Sequence, residues 1–127
     1  MKSCVLFFGA KALDGPMVQN VLSPLGVEVR TPERARYGQP IGLLAGDGPL
    51  PPVKKGGAVT LAAPVLVFCG VPEATVDRAL DALRGAGLCT GALKAVLTPS
   101  NQYWNAAMLS RELVKEHRKF EQRAKKR

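Results

Sequence analysis

Val5-Leu6-Phe7-Phe8-Gly9 and Leu66-Val67-Phe68-Cys69-Gly70 are two apolar runs, each closed by a glycine, standing 61 residues apart. At that spacing Leu22 falls on Leu83 and Gly26-Val27 falls on Gly87-Leu88, so the register persists across a helix-length segment. Each half then continues into a second extended stretch closing on Thr-Pro, Val29 to Pro32 in the first and Val96 to Pro99 in the second, which is six residues longer. The pattern reads as an internal duplication of strand, helix and strand, with half-repeats over about 1–32 and 64–99.

The segments between the strands carry helix signals. Pro72 suits a first turn, Glu73 and Asp77 complement the positive end of the helix dipole, and Val76, Leu80 and Leu83 recur at helical spacing before Gly85 and Gly87 end the run. In the first half Asp14 is placed to cap a helix whose stripe is Met17, Val18, Val21, Leu22 and Leu25, with Gly26 as its stop and Pro24 distorting its last turn. Asn105 is placed to cap a third helix with the stripe Ala106, Leu109, Leu113, His117 and Phe120, expected to fray beyond Phe120.

Two tandem βαβ halves give the order β-α-β-β-α-β, that of a ferredoxin-like α+β sandwich followed by a C-terminal helix. Val5 to Phe8 and Val65 to Cys69 are apolar at consecutive positions, as central strands require when both faces are covered, whereas Val27-Glu28-Val29-Arg30 and Leu93 to Thr98 alternate like edge strands. The two internal helices cover one face, leaving the C-terminal helix or a second subunit, in a homodimer through the uncovered sheet face, to cover the other. A doubly wound parallel sheet is the alternative architecture. The loop over 33–63 contains Ile41 to Gly46, apolar enough for one helical turn against the core, and then the Gly- and Pro-rich stretch Asp47 to Gly57, read as mobile.

At 127 residues and 13.5 kDa the chain holds one core, placed over 1–117. With 46% hydrophobic and 22% charged residues it is not a disordered protein, and no run approaches the roughly 20 apolar residues that cross a bilayer. Cytoplasmic placement is the expectation. The net charge of +8 is concentrated in residues 118–127, a basic helix end or tail where Arg118, Lys119, Arg123, Lys125, Lys126 and Arg127 face one acid, Glu121. Those six are the candidates for binding a polyanion without sequence readout. Cys4, Cys69 and Cys89 lack CxxC spacing and His117 is the only histidine, so neither a metal nor a cofactor is expected.

Leu93-Lys94-Ala95-Val96-Leu97-Thr98-Pro99, with Asn101, Trp104 and then Glu112, Leu113, Glu116 and His117, resembles the signature of a small bacterial family known only as a domain of unknown function. That signature reads LKAVLTPxNxxW before a helix ending ELxxEH. The resemblance covers Pro64 to His117 well and implies a bacterial protein without an assigned activity, so no catalytic residue is transferred.

Thr98 to Asn105 joins a strand to a helix N-terminus, where backbone N–H groups favour an anion. Lys94, Thr98 and Asn101 are candidate donors there and Trp104 a flat face for an anionic small molecule. The competing role for Thr98 and Asn101 is to tie down the turn's own backbone. Glu112, Glu116 and His117 form the only acid–histidine cluster, and no partner nucleophile accompanies it, so an enzyme is the weaker reading. The expected function is a non-enzymatic binding or regulatory module for an anionic small molecule or a protein partner. The alternative is a nucleic-acid-associated accessory protein acting through the basic tail.

Overall fold

The structure, a computed structural model, describes residues 3–11, 13–46, 61 and 63–125, with the side chains of 117–125 outside the description. Asp47 to Gly57 lies outside the described residues. The chain runs β1 (Cys4–Phe8), α1 (Asp14–Leu22), β2 (Glu28–Arg30), α2 (Ile41–Leu44), β3 (Val65–Cys69), α3 (Glu73–Gly85), β4 (Leu93–Val96) and α4 (Ala106–Lys125). Every residue of β1 and β3 is buried, as their consecutive apolar residues require.

The strands form one mixed sheet in the order β2-β1-β3-β4. β1 pairs parallel with β2 and β3 parallel with β4, while the central pair, β1 and β3, is antiparallel. The first and third strands are central, as expected, but the sheet is neither the antiparallel one of a ferredoxin-like sandwich nor an all-parallel one. Each helix returns the chain beside its own first strand, making two complete βαβ units. A ferredoxin-like order would set β2 beside β3, yet the 34 residues from Thr31 to Pro64 connect them here, and part of that connection is packed into the core.

The central antiparallel register places Leu6 opposite Val67, two residues that correspond to each other in the 61-residue alignment of the apolar runs. At the edges Leu6 lies beside Arg30 and Val67 beside Ala95, so β2 and β4 correspond at a spacing of 65. The two Thr-Pro pairs therefore do not occupy equivalent positions.

Strand alternation sorts the core into two layers. Val5, Phe7, Leu66 and Phe68 pack under α1 and α3 with Val18, Leu22, Ala79 and Leu83. Cys4, Leu6, Phe8, Val65, Val67 and Cys69 face the other way and meet Tyr37, Ile41, Leu44, Ala106 and Leu109. Of the two candidates for covering the second face, the C-terminal helix and a second subunit, it is α4 that packs there, with the connection around α2.

Local chemistry sets the element ends. Leu13, not Asp14, occupies the cap position of α1, and the Asp14 carboxylate instead accepts the Lys11 N–H at 3.1 Å. Met17 is exposed, so the buried stripe reduces to Gly15, Val18 and Leu22. Pro24 narrows the last turn to a 3-10 turn, Ser23–Leu25, and Gly26 stops it at φ +73°. The Asn105 carboxamide accepts the Met108 N–H at 2.9 Å, capping α4, which runs to Lys125. Tyr37 ties the layers together: its hydroxyl accepts the Gly9 N–H at 2.6 Å, and its ring meets Phe8 edge-on at 5.2 Å.

Candidate functional site

In β4, Leu93 and Leu97 donate their N–H groups to Pro64 and Phe68 of the β3 segment at 2.8 and 2.9 Å, so Lys94, Val96 and Thr98 turn their backbone groups to the outer edge. Asn101 closes that edge. Its carboxamide nitrogen donates to the Val96 carbonyl at 3.0 Å and its oxygen accepts the Thr98 N–H at 2.7 Å, the pair of bonds that another strand would make. The Thr98 hydroxyl in turn accepts the Asn101 N–H at 3.0 Å, and Asn101 is 8% exposed.

The opposite edge is closed in the same way. Gln19 of α1 accepts the Val29 N–H at 2.8 Å and donates to the Val27 carbonyl at 3.2 Å, so one carboxamide caps each side of the sheet. Unpaired edges invite strand addition, and these two side chains remove part of that template.

Thr98, Asn101 and Trp104 are brought together in one turn, and their hydrogen bonds run within the fold. Trp104 is half-buried against the second core layer and its carbonyl accepts the Ile41 N–H at 2.9 Å. At the start of α4, the Ala106 N–H reaches the Tyr37 carbonyl at 3.3 Å and the Leu109 N–H the Asn105 carbonyl at 3.1 Å. Lys94 is not part of this group. Its register partner is Leu66, which faces α1 and α3, whereas Trp104 packs on the opposite face.

Lys94 instead lines a depression of about 190 Å³ with Leu80, Arg84, Leu88, Cys89 and Thr90. Cys89 holds a left-handed backbone at φ 58°. Burial pushes its thiol up from the ordinary cysteine range, the Asp14 charge adds to this, and Lys94 opposes it. That environment keeps it a thiol and not a nucleophilic thiolate at neutral pH.

A different cleft lies at the carboxyl end of β2. Arg30, Thr31, Pro32, Glu33, Arg36 and Leu44 line about 360 Å³ of open space. Arg30 is the last residue of β2 and, paired with Leu6, shares the face on which α2 packs. Its guanidinium donates to the Ala45 carbonyl at 2.8 Å and lies 3.3 Å from the Glu28 carboxylate. Gly46 passes so close, at φ +74°, that an added Cβ would stand 3.1 Å from the guanidinium. Glu33 and Arg36 come from the next turn, a 3-10 helix over Arg34–Arg36 whose Arg36 N–H bonds the Glu33 carbonyl at 2.8 Å. The signal available beforehand was Arg30, Arg34 and Arg36 within seven residues, obscured because the reading of the 33–63 connection placed structure only at Ile41 to Gly46.

The basic tail candidates Arg118, Lys119, Arg123 and Lys125 lie on α4, while Lys126 and Arg127 fall outside the described residues. His117 is helical, with its side chain outside the description. Among the described residues no group of three His, Cys, Asp or Glu converges on a metal position, and no helix is long and apolar enough to cross a membrane.

A four-stranded mixed sheet between two helical layers, with an arginine-lined cleft at one end, defines a small α+β domain. Its second half is similar to a known family: residues 64–120 match the family model of a domain of unknown function, DUF3783. The match begins just before β3 and ends within α4, taking in the second βαβ unit and leaving β1, α1 and β2 outside. No curated protein and no solved structure matches the chain.

Proposed function

We propose that this chain is a non-enzymatic binding module for an anionic small molecule, and that the cleft beyond β2 takes the ligand in place of the Thr98–Asn105 turn. One observation carries the reading. Arg30 is held in place by the Ala45 carbonyl and Glu28, and it shares an open 360 Å³ cleft with Arg36. A guanidinium already oriented by fixed partners loses little freedom when it grips a carboxylate or phosphate, and such charge-assisted bonds are about twice as strong as neutral ones. The position agrees with the preference of ligands for the carboxyl ends of parallel strands. The 61-residue spacing of the apolar runs, together with a parallel strand pair in each half, supports descent of the two halves from one duplicated βαβ unit.

Calorimetric titration with inorganic phosphate, pyrophosphate and a panel of carboxylates tests this. Arg36→Ala is expected to weaken binding at least tenfold, about 1.4 kcal/mol, without moving the melting temperature of the free protein. Asn101→Ala is expected to leave affinity unchanged while lowering that temperature. The opposite pattern would return the site to the turn.

The second reading, a nucleic-acid accessory role, is favoured by the helicity of α4 through Lys125, which places four of the six tail bases on one helix. Its expected result is salt-sensitive binding of a fluorescent single-stranded RNA or DNA duplex that disappears in a chain ending at His117. Equal binding by both chains would remove the tail from consideration.

A further inference from the structure

The arginine cleft contains charges of both signs that do not neutralise each other. The ion pairs among the described residues are Arg30–Glu28, Arg84–Asp81 and Lys115–Glu112, and Glu33 is in none of them, although it lines the same cleft as Arg36. Glu33 and Arg36 stand three apart at the ends of one 3-10 turn, an arrangement that normally brings side chains over one another. Their failure to pair leaves a carboxylate and a guanidinium facing a common space. A simple anion would meet Arg30 and Arg36 but would also meet the Glu33 charge. A ligand carrying an ammonium beside its carboxylate would satisfy both. The volume of about 360 Å³ sits at the small end of ligand clefts, which run about 300–1,000 Å³, and Pro32 and Leu44 supply its apolar contact.

Resting on the reading of this cleft as an anion site, we infer that its ligand is a small zwitterion of the α-amino acid class. The carboxylate is held by Arg36 with the Arg30 charge beside it, and the ammonium by Glu33. Specificity for the ammonium then resides in Glu33 and affinity for the carboxylate in Arg36.

The test is calorimetric titration of the full chain with each of the twenty protein amino acids, with the N-acetyl and carboxamide derivatives of any that bind, and with inorganic phosphate. At least one amino acid is expected to bind, its N-acetyl derivative at least tenfold more weakly, and Glu33→Gln is expected to abolish that discrimination. If inorganic phosphate or the N-acetyl derivative binds as tightly as the amino acid, or Glu33→Gln tightens every anion alike, the cleft is a plain anion site. The inference then falls while the proposed function stands. Should no amino acid, phosphate, pyrophosphate or carboxylate bind, both fall together. Circular dichroism of Glu33→Gln, an exposed position, checks that the variant is folded.

Discussion

Asn101→Ala is expected to lower the free energy of unfolding by about 2–3 kcal/mol, measured by urea denaturation. A buried carboxamide that bonds both the Val96 carbonyl and the Thr98 N–H does the work of a neighbouring strand with one side chain. A net hydrogen bond contributes about 0.5–1.5 kcal/mol, and a partner left unsatisfied in a partly buried place adds about 1–3 kcal/mol. Water reaching the exposed Val96 and Thr98 offsets part of the second cost. Asn101→Asp separates the two bonds. It keeps the acceptor for Thr98 but, when ionised, turns a carboxylate on the Val96 carbonyl, so it is expected to be the less stable variant at neutral pH. Protonating that carboxylate restores a donor, so the deficit should shrink as the pH falls through its titration. A loss under about 0.5 kcal/mol for Asn101→Ala would show that water closes the edge as well as the carboxamide does. Gln19→Ala probes the other edge, with a smaller expected loss of about 1 kcal/mol because Gln19 stands further out in solvent.

Much of this fold is legible in the residues because its strongest signals are local. Unbroken apolar runs at Val5 to Phe8 and Val65 to Cys69 make central strands, Pro72 and Gly26 mark helix ends, and Asn105 caps α4. Even the apolar Ile41 to Gly46 makes its turn, α2, against the core. Strand order is a different kind of information. A βαβ half looks the same in sequence whether its second strand lands beside its first or one place away, and only the long connection from Thr31 to Pro64 argued against a hairpin between β2 and β3. The candidate site was legible only in part for a related reason. Thr98 and Asn101 are polar residues before a helix in either role, and the bonds that occupy them depend on which backbone groups β4 turns outward. Lys94 alternates off the face of Trp104, which strand periodicity shows once the strand is placed. Arg30 and Arg36 come to line one cleft once Arg30 is tied to the Ala45 carbonyl at the end of α2, a long-range contact that no local pattern encodes.

Leu109→Ala is the counterpart experiment for the second face, and its expected cost is about 2–4 kcal/mol. Leu109 is 2% exposed and packs with Ala106 in the layer formed by Leu6, Phe8 and Val67. Alanine is at least as good a helix former as leucine, so α4 itself loses nothing and the whole penalty belongs to burial and to the cavity left behind. Met108→Ala on the neighbouring residue, 40% exposed, is expected to change stability by less than about 0.5 kcal/mol. The contrast between adjacent residues separates docking of the helix from its formation. If both substitutions were neutral, α4 would not be what covers Leu6, Phe8 and Val67, and a second copy of the chain would have to shield them. In that case the melting temperature should rise with protein concentration. A large loss at Leu109 together with a concentration-independent melting temperature means that the chain closes its own sheet on both faces, with the end beyond β2 left open for a ligand.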